Sequence, residues 1–165
     1  MDFTVHMLLD ADEKSACARL ILEKCCKWFA NVKSREEYIV KVRELDFWIA
    51  ESDAGECVGF FAGTCHYGTN AEIVVCAVDP DVHGSGVGSA LSAAMEKYYS
   101  GIGCDKMLVK TLSDVVDDED YAMTRKFYTK CGFLPLITLY EMWDEENPCL
   151  IMMKNLPAGG NQYDR

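Results

Sequence analysis

Apolar residues recur along this chain at two spacings, and the switches between those spacings mark out its elements. Phe3 to Leu9 reads as a first strand. Asp10 to Asn31 carries helical spacing, with Ala18, Leu22, Cys25 and Phe29 on one stripe and Ile21 and Trp28 beside it. A short side-chain oxygen from Asp10 or Asp12 caps its start. Ser34 to Leu45 is a second helix, opened by a capping-box spacing with Glu37 three residues after Ser34. Phe47 to Glu51 and Cys57 to Cys65 are strands flanking Ser-Asp-Ala-Gly-Glu, a hairpin turn that contains Gly55. Ala71 to Val78 is almost wholly apolar after Glu72, the mark of a strand buried on both faces.

A run of small residues then opens a helix with Leu91, Ala94, Met95 and Tyr98 on a common face. Lys106 to Leu112 is another strand. Tyr121 to Lys130 is a helix, stopped by Gly132 at its C′ position. Phe133 to Trp143 and Leu150 to Lys154 are two last strands joined by an acidic turn. The order βα α βββ α β α ββ predicts a mixed α/β sandwich rather than a regular βαβ alternation. Length fits one domain over residues 1–156, and residues 157–165, poor in apolar side chains, read as a flexible C-terminal tail.

Half of the 165 residues are apolar and 11% are aromatic, which predicts a folded globule. The longest apolar runs, such as Ile73 to Val78, are too short to cross a bilayer, so no membrane partner is expected. The N-terminal stretch carries Asp2 and no basic region, so no signal peptide is read and a cytoplasmic location follows. A formal net charge of −11 argues against nucleic acid and favours a cationic partner. The acids clump: Asp114, Asp117, Asp118, Glu119 and Asp120 share one loop, and Glu141, Asp144, Glu145 and Glu146 another. Each clump also reads simply as a solvated acidic surface. Nine cysteines without a Cys-x-x-Cys spacing predict neither a metal site nor disulfides, but reduced thiols used as small hydrophobes.

Chemistry concentrates in Asp79 to Leu91, where Gly84, Gly86 and Gly88 lie between a strand and a helix. Glycines let a backbone approach a ligand with its N–H groups turned inward, and a helix N-terminus adds free N–H groups and a positive dipole end. That is a diphosphate site built from main chain. The third glycine is mis-spaced for a dinucleotide loop, and no Gly-x-x-x-x-Gly-Lys run is present for a nucleoside triphosphate. A purely structural turn is the remaining alternative.

Together, Ala71 to Leu91 and a second segment, Arg125 to Phe133, resemble the GNAT superfamily of N-acetyltransferases. The first matches that family's [RQ]-x-x-G-x-[GA] pattern at Gly86 and Gly88, with His83 where Arg or Gln is usual. The second has the family's helix-to-strand Tyr and closing Gly-Phe, with Tyr121 where many relatives carry Asn. The likeness runs over about residues 3–155 and implies a mixed, mainly antiparallel sheet of about seven strands flanked by about four helices.

The resemblance implies acetyl-CoA as co-substrate, no metal, and direct transfer of acetyl to a primary amine in a ternary complex. Cofactor contacts are expected from Cys76, Ala77, Val78, His83, Gly84, Ser85, Gly86, Val87, Gly88 and Ser89, and from Tyr121, Thr124 and Tyr128. The Cys76 N–H is the expected oxyanion donor and Tyr128 the acid for the leaving thiolate. Helical spacing puts Tyr121, Thr124, Arg125 and Tyr128 on one face, and Met123, Phe127 and Cys131 on an expected core face. Glu72 is the candidate base, four residues from Cys76 and so roughly 13 Å away along an extended strand, a gap for a water relay. The acidic clumps fall where the fold flanks its acceptor, which suggests a cationic small molecule such as a polyamine or aminoglycoside-like amine. The alternatives are a protein N-terminus or lysine as acceptor, and a non-catalytic acyl-CoA-binding module. The last strands often pair between subunits in this family, so Ile137, Leu139, Leu150 and Met152 serve either a homodimer or the core.

Overall fold

The computed structural model describes residues 2–157. Its elements are β1 (Phe3–Met7), α1 (Ala11–Lys24), α2 (Val32–Lys41), β2 (Asp46–Ser52), β3 (Cys57–His66), β4 (Asn70–Val78), α3 (Val87–Gly101), β5 (Lys106–Leu112), α4 (Glu119–Lys130), β6 (Leu134–Asp144) and β7 (Asn147–Asn155). Short 3₁₀ turns occupy Val42–Glu44 and Pro80–Val82. The seven strands run in the order β1-β2-β3-β4-β5-β7-β6. Pairs β1–β2, β2–β3, β5–β7 and β6–β7 are antiparallel, and β4–β5 is parallel over Asn70–Ile73 and Lys106–Val109. The mixed α/β fold expected from the order of elements is observed, with the mainly antiparallel seven-stranded sheet that the resemblance implies. Residues 158–165 of the expected tail lie outside the described residues.

The chain divides into two compact units, Met1–Thr64 with Val74–Met95, and Cys65–Ile73 with Glu96–Arg165. In the first, Cys17, Ala18, Ile21 and Leu22 of α1 pack on Phe47, Ile49, Phe60 and Ala62 of β2 and β3 and on Val75 and Ala77 of β4. Phe47 and Phe60 stack with centroids 4.9 Å apart. In the second, Met107, Val109 and Leu112 of β5 and Cys149, Leu150 and Met152 of β7 are buried with Tyr99 and Phe133.

Local chemistry explains most boundaries. Asp10 caps α1 by accepting from the N–H groups of Asp12 and Glu13. That helix stops at Lys24, short of the expected Asn31, where Cys25 leaves helical geometry, and the Trp28 and Phe29 N–H groups donate back to the Cys25 carbonyl in a closing turn. Asn31, not Ser34, caps α2, since its side chain reaches the Ser34 N–H first. On α3 the buried face is Leu91, Met95 and Tyr99, while Tyr98 is partly exposed. Gly132, at φ +91°, ends α4 as its C′ residue.

Two expectations about side chains fail. Cys17 of α1 and Cys57 of β3 form a disulfide across forty residues of sequence, a long-range pairing that spacing does not reveal. On α4 the buried side chain is Tyr128, whereas Met123 of the expected core face is 62% exposed. Leu150 and Met152 are core residues of β7, and Ile137 is about half exposed. At the end of the strand order, β6 also leaves Leu134, Leu136, Tyr140, Met142 and Trp143 exposed. No described helix is long and apolar enough to cross a membrane.

Candidate active site

In the first unit, the end of β4 is held before the glycine run begins. The Asp79 N–H donates to the Val58 carbonyl at 2.9 Å, and its buried carboxylate accepts from Lys24 Nζ and the Asp81 N–H. Burial alone would raise that carboxyl; the Lys24 and Asp81 hydrogen bonds outweigh it and hold it below the usual carboxylate range. Gly59 of β3 allows the close approach this requires. A Cβ there would sit 3.1–3.2 Å from Val78, the Ala77 carbonyl and Val87.

The loop itself turns through Gly84 (φ +81°) and Gly86 (φ +92°), and a Cβ at either would meet nothing within 4 Å. The main chain is therefore open to a ligand on that side. The first turn of α3, from Val87 through Ser89, has no preceding helical carbonyls to satisfy its N–H groups. This arrangement fits the diphosphate of a coenzyme: the His83 and Ser85 N–H groups are taken by the Pro80 and Val82 carbonyls, and the open glycines lead into a helix start with its N–H groups and positive dipole end. His83 is exposed and plays another part. Its Nε2 lies 2.9 Å from the Val78 carbonyl, which only accepts, so Nε2 carries the proton and the ring ties the loop to the end of β4. The Trp28 ring flanks it at 5.9 Å.

The second unit holds Glu72, Tyr121, Thr124 and Tyr128. Glu72 is buried. Its Oε1 accepts from Lys110 Nζ at 2.8 Å and its Oε2 lies 2.5 Å from His66 Nε2. Burial pushes the carboxyl up, but Lys110 and then His66 more than offset this and keep it ionised below its usual range. The trio lines a cavity of ≈ 340 Å³. On α4, Tyr128 is buried against the rings of Phe127 and Phe133, at 5.5 and 5.8 Å. Asp118 caps the helix through the Tyr121 N–H, and the Thr124 hydroxyl donates to the Asp120 carbonyl. Arg125 donates to the Leu112 carbonyl at 2.9 Å and so fixes α4 against the end of β5. Among the described residues no group of His, Cys, Asp and Glu is arranged to hold a metal ion.

Sequence reasoning passed over Asp79, Lys24, His66 and Lys110. A signal for Lys110 was present: it is the lone cation inside the Met107 to Leu112 run. Parallel pairing of Glu72 with Leu108 then puts Lys110 two residues along on the same face.

The acetyltransferase (GNAT) domain family matches residues 43–135. An uncharacterised N-acetyltransferase of Methanocaldococcus jannaschii is 29% identical over 112 residues, 67% of each protein. Among solved structures, a GNAT-family acetyltransferase described from Desulfovibrio desulfuricans superimposes with a TM-score of 0.80 at 17% identity, covering 94% of this chain and 100% of that one. The ribosomal-protein-S18-alanine N-acetyltransferase of Escherichia coli gives 0.73 at 19% identity over 98% and 99%. An aminoglycoside 6′-N-acetyltransferase complexed with coenzyme A gives 0.70 at 18% over 95% and 98%.

Proposed function

Because the chain belongs to the GNAT family, and is thus an acetyl-CoA-dependent N-acetyltransferase, we propose that it acetylates a primary amine of a small, cationic molecule by direct transfer in a ternary complex. The observation that carries the coenzyme half of this reading is the open, doubly left-handed glycine loop running into α3. The N–H groups of Gly84 and Gly86 and those of Val87, Gly88 and Ser89 hold the diphosphate, and Cys76, Ala77 and Val78 present main chain to the pantetheine. Tyr121 and Thr124 line the same cofactor.

In this reading Glu72, through a water, takes the proton of the acceptor ammonium, and His66 passes that proton to solvent. The freed nitrogen attacks the thioester carbonyl, whose developing oxyanion is met by the Cys76 N–H. As the carbon–sulfur bond breaks, the Tyr128 hydroxyl protonates the leaving thiolate. The acidic loops around Asp117 and Glu145 draw the cationic acceptor in. A second copy of the chain is the proposed macromolecular partner, meeting the first along β6.

The test is thiol release from acetyl-CoA across a panel of amines, with acceptor peptides bearing a free N-terminus or lysine alongside. Turnover with small amines and not with peptides supports the reading. Turnover with peptides only moves the acceptor to protein. Tight coenzyme A binding without any turnover leaves a binding module.

A further inference from the structure

The turn joining β3 to β4 places an aromatic residue where the backbone resists one. Thr69 N–H closes it onto the His66 carbonyl at 3.2 Å, and its central residues Tyr67 and Gly68 have φ values of +53° and +73°. Two successive positive φ values favour Asn–Gly or Gly–Gly, because a bulkier side chain crowds its own backbone in that conformation. Gly68 suits the turn and Tyr67 does not. Tyr67 is the one non-glycine residue with positive φ among those described. Burial gives nothing back, since its side chain is 98% exposed. A strained and exposed aromatic residue points to a role outside folding.

What lies beside Tyr67 indicates the role. It is one of the residues lining the ≈ 340 Å³ cavity, together with the apolar Leu108 and Ile151, the charged Glu72 and Lys110, and His66 and Asn70. Both carboxylate oxygens of Glu72 already have partners, His66 and Lys110. A second ammonium group entering here would find an engaged carboxylate and a neighbouring lysine, which repels it. An apolar or aromatic arm would find Leu108, Ile151 and the Tyr67 ring.

We propose that this cavity binds an apolar or aromatic substituent of the acceptor, and that Tyr67 is the residue that selects it. The acceptor class is then an alkyl- or arylalkyl-amine with one ammonium group, rather than a polyamine. The inference rests on the amine-acetylating reading above and narrows it.

The experiment compares wild type, Tyr67→Asn and Tyr67→Phe, using 2-phenylethylamine, ethylamine and spermidine as acceptors. Asparagine accepts the turn's φ and removes the ring, so Tyr67→Asn should raise Tm by roughly 2 to 4 °C. Its KM for 2-phenylethylamine should rise at least tenfold, with kcat and the KM for ethylamine unchanged. Tyr67→Phe should keep the wild-type KM, and wild type should prefer 2-phenylethylamine to spermidine. Equal KM values for 2-phenylethylamine in wild type and Tyr67→Asn, or a preference for spermidine, overturn the proposal while leaving N-acetyl transfer intact. If no amine turns over, the acetylating reading fails, and calorimetric titration with 2-phenylethylamine decides the cavity. Weaker binding to Tyr67→Asn than to wild type upholds it, and equal or absent binding overturns it.

Discussion

Glu72 Oε1 accepts a hydrogen bond from Lys110 Nζ at 2.8 Å, and that lysine is what allows a carboxylate to stay charged in an apolar strand. Lys110→Met leaves the buried charge with His66 alone. The variant should lose about 2 kcal/mol at pH 7, less than a fully buried pair because the lysine is partly exposed. Adding Glu72→Gln should recover much of that loss, since no unpaired charge then remains. The pH sign follows from the lowered carboxyl. The pair's contribution is complete above about pH 4.3, the ordinary glutamate value, and is lost as pH falls through the lower folded value. Urea titrations at pH 7 and pH 3 measure both effects; identical loss of stability in Lys110→Met and in the double variant would contradict the coupling.

Tyr128 is buried between two aromatic rings, so Tyr128→Phe keeps the packing and removes only the hydroxyl. If that hydroxyl protonates the thiolate, kcat should fall by about 10² or more while the KM for acetyl-CoA stays within about twofold. A fully active Tyr128→Phe enzyme removes Tyr128 from the chemistry and leaves it as core.

His83→Ala cuts the link between the glycine loop and the Val78 carbonyl. One hydrogen bond of loop order is worth about 1 kcal/mol, so the KM for acetyl-CoA should rise roughly fivefold with kcat unchanged. Isothermal titration with coenzyme A checks the same quantity without turnover. Unchanged affinity would mean that the glycines hold the loop alone.

The acidic loop before α4 has two duties that substitution separates. Asp118 caps the helix, and asparagine caps equally well, so Asp117→Asn, Asp118→Asn and Asp120→Asn together remove charge without removing the cap. The expected result is an unchanged melting temperature, a severalfold higher acceptor KM and a flatter dependence of that KM on salt. Kinetics identical to wild type would leave the loop as a helix start and nothing more.

The Cys17–Cys57 bridge closes a loop across forty residues, joining α1 to β3. Replacing both by serine, or reducing the bridge, should lower stability by roughly 2 to 4 kcal/mol through the larger entropy of the unfolded chain. Chemical denaturation with and without reductant reads the difference, and the double serine variant should no longer respond to reductant.

What the chain discloses about itself is mostly what neighbours in sequence settle. The Asp10 cap, the Gly55 turn, the Gly132 stop and the limits of β5 depend on residues within a few positions, and periodicity locates them. Resemblance in two short motifs then supplied the family and the coenzyme. Contacts made at a distance stayed hidden. His66 and Lys110 reach Glu72 from six and thirty-eight residues away, and Lys24 reaches Asp79 across fifty-five. Helical spacing on α4 separated two faces without saying which one the protein buries, and Tyr128 therefore fell on the unexpected side.

The strand β6 has a consequence for handling the protein. It ends the sheet, and Leu134, Leu136, Tyr140 and Trp143 remain in water along it. Exposed strand edges of this kind adhere to one another, so a second copy seated along β6 would take these side chains out of water, while the charge of −11 on each chain opposes the growth of larger assemblies. The molecule is thus a charge-stabilised colloid with a sticky seam. Acidification toward its sequence pI of ≈ 4.6, or salt enough to screen the charge, should weaken that opposition and lower its solubility.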